Sequence, residues 1–129
     1  MKKRIVLIDD DKQTNFLNKL TIERSNVVDE VVIFSSPLEA LDYLNKRPDE
    51  EKGSLILLDI NMPVMDGWEF LRLYATKNQN KAVDKVVMLT SSIDPRDQKL
   101  AEENVLVSDL KFKPLSLRMI NEIVKLLLK

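Results

Sequence analysis

The sequence predicts an α/β fold, a five-stranded parallel sheet wound doubly with helices on both faces. Three observations carry this. Continuous apolar runs recur at residues 5–8, 31–34, 55–58 and 86–89, and a strand covered on both faces reads as such a run. Each run is followed by a stretch with helix-start signals and helical apolar spacing. Each of three runs also stops at a polar side chain: Asp9, Asp59 or Thr90. Strands and helices in strict alternation imply parallel strands joined by right-handed crossovers. Five strand–helix pairs use up the 129 residues, so the expected organisation is one domain over 1–129 with no output domain.

Composition narrows the chemistry before any site is considered. A hydrophobic content of 44% suits a packed core rather than a disordered chain. The net charge of −1, with both signs interspersed, gives no electrostatic footprint for nucleic acid or an anionic membrane. Cysteine is absent, which removes disulfides and thiolate chemistry; histidine is absent too, which removes every histidine base. Only carboxylate, hydroxyl, lysine, backbone and metal chemistry remain. The basic start, Lys2-Lys3-Arg4, precedes a run too short for a signal peptide or a membrane span, so a cytoplasmic location is expected.

The elements follow in order. Residues 5–8 form the first strand, ended by Asp9-Asp10-Asp11. A helix is expected over about 12–25, with Phe16, Leu17 and Leu20 as its inner face. After the strand at 31–34, Ser36-Pro37-Leu38-Glu39 combines a serine N-cap, a proline at the first helical position and a glutamate at the third. That helix carries Leu38, Leu41 and Leu44 and stops at Pro48, and the charged residues 46–54 read as a surface loop. The third strand, 55–58, leads through Asp59 to Asp66-Gly67-Trp68-Glu69, which opens a helix bearing Phe70, Leu71 and Tyr74; Trp68 is expected to pack beside the site. A polar loop spans 77–84. The fourth strand ends in Thr90-Ser91-Ser92, and Asp94-Pro95 starts a helix with Leu100 and Ala101. A weaker strand at 108–112, where Leu110 and Phe112 alternate with Lys111, suits a sheet edge, with Phe112 as a core residue. Lys113-Pro114 ends it. Ser116 caps a last helix with Leu117, Ile120, Ile123, Val124 and Leu127. Leu126 and Leu128 cannot both face inward beside Leu127, so a partner surface is expected there.

The strand ends hold the chemistry. In an open parallel sheet, residues just past the carboxyl ends of the strands face the ligand crevice. Asp59 alone reads as a turn aspartate. With Asp9, Asp10, Thr90 and Lys113 brought to the same edge, it joins an acidic cluster flanked by a hydroxyl and an ammonium group. Converging carboxylates need shifted pKa values or a cation. With oxygen donors only, that cation is a hard divalent one such as Mg²⁺. Mg²⁺ leaves positions open for phosphate oxygens, which suggests phosphoryl transfer with a carboxylate as covalent acceptor.

Four motifs carry a resemblance: Leu7-Ile8-Asp9-Asp10-Asp11, the run from Leu57 through Asp59-Ile60-Asn61-Met62-Pro63 to Asp66-Gly67, Met88-Leu89-Thr90-Ser91, and Lys113-Pro114-Leu115. In that order they make the chain, over residues 3–128, similar to receiver domains of two-component response regulators, of the stand-alone chemotaxis type. The resemblance implies the flavodoxin-like strand order 2-1-3-4-5. It implies Asp59 as acceptor of a phosphoryl group from a phosphohistidine on a sensor histidine kinase or histidine phosphotransfer protein. It implies Mg²⁺ held by Asp10, by Asp9 through water, by Asp59 and by the Asn61 carbonyl. Thr90 and Lys113 would contact the phosphoryl group, Asn61 and Ser92 would tune its lifetime, and Gly67 would tighten the loop into the third helix. The product is a signalling module for an unknown downstream protein, not an enzyme beyond self-phosphorylation from small donors and self-dephosphorylation. In one place the chain departs from the pattern: Leu110 stands where the family usually carries a switching tyrosine or phenylalanine.

Two other readings fit parts of the sequence. Asp9-Asp10-Asp11 contains the D-x-D of Mg²⁺-dependent haloacid-dehalogenase-type phosphatases, but Glu122 is the one acidic residue after Lys113 and Asp59 stays unexplained. A degenerate receiver acting as a phosphorylation-independent adaptor would accommodate Leu110.

Overall fold

The computed structural model describes residues 2–77 and 83–128. Five parallel strands, β1 (Arg4–Ile8), β2 (Glu30–Phe34), β3 (Leu55–Asp59), β4 (Lys85–Thr90) and β5 (Val107–Phe112), lie in the order β2-β1-β3-β4-β5. Helices α1 (Lys12–Ser25), α2 (Pro37–Lys46), α3 (Gly67–Lys77), α4 (Pro95–Glu103) and α5 (Leu117–Leu127) connect or follow them. This is the flavodoxin-like α/β arrangement expected.

Side chains alternate across each strand, so the sheet feeds two cores. Val6, Ile8, Ile56, Leu58, Val86 and Met88 pack against Ala40 and Leu44 of α2 and Phe70, Leu71 and Tyr74 of α3. Ile5, Leu7, Leu55, Leu57, Val87 and Leu89 pack on the other face against Ile22 of α1 and Ile120, Ile123 and Val124 of α5. β2 and β5 are the two edge strands, neither with a fully buried residue, and β5 is the more exposed of them.

The capping signals hold. Ser36 Oγ accepts from the Glu39 N–H at 3.3 Å, Asp94 from Arg96 at 2.9 Å, and Ser116 from Met119 at 3.1 Å. Each satisfies an orphan donor of a first helical turn, typically worth ~1 kcal/mol. Asp11 caps α1 through the N–H groups of Gln13 and Thr14.

Several facing assignments do not hold. On α1, Phe16 and Leu17 are 60% and 61% exposed, Leu20 is half-buried, and the inner face is Asn15, Asn18 and Ile22. Both sets obey helical spacing, so apolar periodicity selected the wrong one. Leu38, Leu100 and Leu117 are exposed on their helices. Phe112 is 40% exposed rather than core, because the edge position leaves β5 with a strand on one side only. Leu128 turns inward after the last turn of α5, which leaves Leu126 as the exposed member of the closing leucines. The 46–54 segment is only partly a surface loop: it contains a short 3-10 turn (Asp49–Glu51) and buries Arg47 and Ser54. Of the expected 77–84 loop, residues 78–82 lie outside the described residues, and Asp84 is buried.

A buried ion pair closes the end of the sheet away from the aspartates. Asp84 pairs with the Arg47 guanidinium, both side chains fully buried, and accepts from the Tyr74 hydroxyl. It also accepts from the Gly53 and Ser54 N–H groups at 2.9 and 3.0 Å.

Candidate functional site

At the opposite edge the strand ends bring together the residues the sequence singled out. Asp9 follows β1 directly and is 4% exposed; Asp59, the last residue of β3, is 4% exposed as well. Asp10 is exposed. Each of the three offers a carboxylate oxygen within 4.8 Å of the others. Lys113 reaches in from the end of β5, its Nζ 2.6 Å from Asp9 Oδ2 and 3.0 Å from Asp59 Oδ1. Its own N–H donates to the Thr90 carbonyl at 2.8 Å, which ties the end of β5 to that of β4.

The electrostatics follow from this packing. Burial pushes the Asp59 carboxyl above its ordinary range, and the Asp9 charge adds to this; the Lys113 hydrogen bond and charge and the Asn61 N–H, at 3.4 Å, pull it only partly back. Burial acts to lower Lys113, but its hydrogen bonds and attraction to Asp9 and Asp59 outweigh that and leave the ammonium raised. Lys113 is therefore a fixed cation at neutral pH. Three carboxylates and one ammonium leave two formal negative charges on an all-oxygen donor set. That set fits a hard divalent cation such as Mg²⁺, with Asp10 on the open side.

Gly67 allows the β3–α3 loop to close beneath Asp59. Its N–H donates to the Ile60 carbonyl at 2.8 Å. A Cβ there would lie 2.8 Å from the Asp59 carbonyl oxygen, 2.8 Å from Met88 Cε and 3.0 Å from Ile60 Cα. Met62 and Met65 anchor the intervening loop in the core, and Asp66 caps α3 through the Glu69 N–H at 2.8 Å.

Thr90 is buried at the end of β4, but its hydroxyl does not reach the cluster. It donates to the Ser92 carbonyl at 3.1 Å and accepts from the Ser92 N–H at 3.2 Å. In register, Phe112 is its neighbour on β5 and Leu110 is that of Met88. Leu110 packs against the α2–α3 core, and with Phe112 it also lines a groove beside Gln98, Ala101 and Glu102 of α4. Trp68 is half-buried against the same core, and its indole N–H donates to Asp97 Oδ1 at 2.9 Å, joining α3 to α4. Asn61 is exposed immediately beyond the acceptor strand.

One residue at this edge escaped the sequence reading. Asn15 of α1 donates its side-chain N–H to the Asp9 carbonyl at 2.7 Å. The signal lay in the 15/18/22 spacing, which places two amides and an isoleucine on one helical face.

The model of the response regulator receiver domain matches residues 5–125. The chain belongs to that family. Its receiver fold matches a two-component response regulator from Cytophaga hutchinsonii at 34% identity and a TM-score of 0.86, covering 98% of this chain and 97% of that one. A response regulator receiver protein from Dyadobacter fermentans matches at 26% identity and a TM-score of 0.88, with 98% of each chain covered. Among curated proteins, this receiver is 33% identical over 129 residues to the alkaline phosphatase synthesis transcriptional regulatory protein PhoP of Bacillus subtilis. It spans the whole of this chain and 50% of that protein. The response regulator Rcp1 of Synechocystis is 32% identical over 92 residues, 69% of this chain and 63% of that protein. The chain thus spans about half to two thirds of the length of these two curated relatives. Receiver domains of this family are signalling modules of two-component systems, and among the described residues no helix is long and apolar enough to cross a membrane.

Proposed function

We propose that residues 1–129 act as one receiver domain in which Asp59 accepts a phosphoryl group from a phosphohistidine of a histidine kinase or phosphotransfer protein. The convergence of Asp9, Asp10 and Asp59 around Lys113 is the observation that carries this reading. These residues contain no histidine, so the phosphohistidine donor lies outside them. In the transfer, an Asp59 carboxylate oxygen forms the O–P bond while the P–N bond to the imidazole breaks. The electron pair stays on the departing nitrogen, which is left as a neutral imidazole once protonated.

The chain's own groups do the positioning. Lys113 pairs with Asp59 before transfer and is placed to pair with a phosphoryl oxygen afterwards. Asp9, Asp10, Asp59 and the Asn61 carbonyl are the groups that would hold Mg²⁺, with Asp9 acting through water. When bound, that ion neutralises charge on the phosphoryl oxygens. The Thr90 hydroxyl has both its present partners on Ser92. A move of Thr90 toward the phosphoryl group would release Ser92 and change the β4–α4 surface that a downstream protein meets. A cytoplasmic location belongs to the same reading. The phosphatase alternative leaves Asp59, the buried carboxylate that ends β3, without a task.

Incubation with a small acyl or amido phosphate donor and Mg²⁺ tests the proposal. The expected product is one acid-stable, base-labile phosphoryl group on Asp59, absent from Asp59→Asn. Equal labelling of Asp59→Asn would refute it. Partner binding or amide spectra unchanged by a phosphoryl mimic with Mg²⁺ would favour the adaptor instead.

A further inference from the structure

Asn15 is 2% exposed and sits under the ends of two strands. Its Nδ2 donates to the Asp9 carbonyl at 2.7 Å and lies 3.4 Å from the Phe34 carbonyl at the end of β2. The Asp9 N–H in turn donates to Phe34 at 3.2 Å. One amide therefore closes the β1–β2 ladder where regular pairing, which ends at Ile8 and Phe34, has stopped. Among the described residues its own Oδ1 has no hydrogen-bond partner. A buried amide with an unpaired acceptor costs stability, but its donor also satisfies the Asp9 carbonyl, which an apolar side chain would leave without that bond.

The bond it makes has a consequence for the acidic pair. The carbonyl Asn15 holds belongs to the peptide that joins Asp9 to Asp10. Fixing that peptide plane fixes ψ of Asp9 and φ of Asp10, and so the direction in which both side chains leave the backbone. The Asp9 carboxylate is then seated at its two ends, Oδ1 accepting from the Asp11 N–H at 3.0 Å and Oδ2 from Lys113 at 2.6 Å. Asp10 has no comparable support, being exposed. Its aim depends on the peptide before it.

We propose that Asn15 is a positioning residue for the Asp9–Asp10 pair, and that its amide sets the affinity of the site for a divalent cation by holding the peptide between them. The inference rests on the proposed role of that pair as cation ligands. Groups that orient metal ligands from behind typically change affinity 10–100-fold when lost, so the expected effect is about tenfold or more.

Asn18 provides the internal control. It is buried one turn further along the same face of α1, and among the described residues its Nδ2 has no partner and it makes no bond to the strand ends. Calorimetric titration with MgCl₂ on the full chain compares the parent, Asn15→Leu, Asn15→Ala and Asn18→Leu, with far-ultraviolet circular dichroism on each. Both Asn15 variants should bind Mg²⁺ about tenfold or more weakly, with unchanged spectra, while Asn18→Leu binds as the parent does. Should the leucine not be accommodated at position 15, Asn15→Ala decides. Parent-like affinity in the Asn15 variants overturns the inference, and so does an equal loss in Asn18→Leu, which would trace the effect to helix packing. A parent that binds no Mg²⁺ overturns both this inference and the metal part of the proposed function. A parent that binds Mg²⁺ but takes no label on Asp59 refutes the phosphoacceptor reading alone, and Asn15 is then judged by the affinities.

Discussion

Replacing Asp84 with alanine removes the centre of the buried cluster at the end of the sheet away from the site. The Arg47 guanidinium, with a fully buried side chain, loses its counter-charge. It retains a contact to the Glu51 carbonyl at 3.4 Å, and its Nε already lacks a partner among the described residues. The Tyr74 hydroxyl and the N–H groups of Gly53 and Ser54 lose their acceptor too. Removing one member of a buried ion pair costs about 3–5 kcal/mol. Natural stabilities run at roughly 0.05–0.15 kcal/mol per residue, so this is a large share of the total. With a urea slope of about 2 kcal/mol/M, a 4 kcal/mol loss lowers the midpoint by about 2 M. The assay is urea unfolding at neutral pH followed by far-ultraviolet circular dichroism. The double variant Arg47→Met/Asp84→Leu should recover part of the loss, since it leaves no lone charge buried while the Tyr74 hydroxyl and the Gly53 and Ser54 N–H groups stay without their acceptor. A midpoint within about 0.5 M of the parent for Asp84→Ala, or a double variant no better than the single one, would refute the reasoning.

Gly67→Ala should destabilise by about 1–3 kcal/mol in the same assay, despite the better helix propensity of alanine, because two of the three atoms the new Cβ meets are backbone; a neutral or stabilising result contradicts the close approach. Asp59→Asn should be more stable than the parent at neutral pH in chelated buffer. The folded carboxyl is raised, so its ionisation opposes folding above the unfolded pKa of about 4; the advantage should vanish as thermal midpoints are measured down through that pH. Both tyrosines should resist ionisation in the folded chain. Burial, with help from Glu51, pushes Tyr43 up to about 12, and burial with Asp84 pushes Tyr74 up as well. Raised phenols lend stability that is complete below the unfolded pKa of about 10 and lost as pH climbs toward the folded value. Phenolate absorbance should therefore appear together with alkaline unfolding, and a titration near pH 10 in folded protein would contradict this.

The site was legible because parallel topology collects strand ends. Asp9, Asp59, Thr90 and Lys113 each end a recognisable strand, and one rule about the sheet edge assembles them without any knowledge of side-chain contacts. Helix starts were legible for a local reason, since Ser36, Asp66, Asp94 and Ser116 bond N–H groups two or three residues away. The Arg47–Asp84 pair had no such signal: its partners are separated by 37 residues and meet only once the sheet is formed. The inner face of α1 failed differently. Phe16 and Leu17 carry the apolar signal while Asn15 and Asn18 occupy the interior; Asn15 lies under strand ends whose Asp9 and Phe34 carbonyls take its donor. Thr90 was legible in position but not in conformation, since its bonds to Ser92 depend on the path of the loop.

The bond between Trp68 and Asp97 makes the protein its own optical instrument. Trp68 is the one tryptophan of the chain, and it is fastened across two helices that start beyond two different strand ends of the site, β3 and β4. Any displacement of α4 relative to α3 changes the distance between indole and carboxylate and hence the emission of a single chromophore. The proposed ion binding and acyl-phosphate formation at Asp59 would thus be timed in the native chain by stopped-flow fluorescence, without an attached dye, and Asp97→Asn distinguishes motion of the bond from a general change of solvent around the ring.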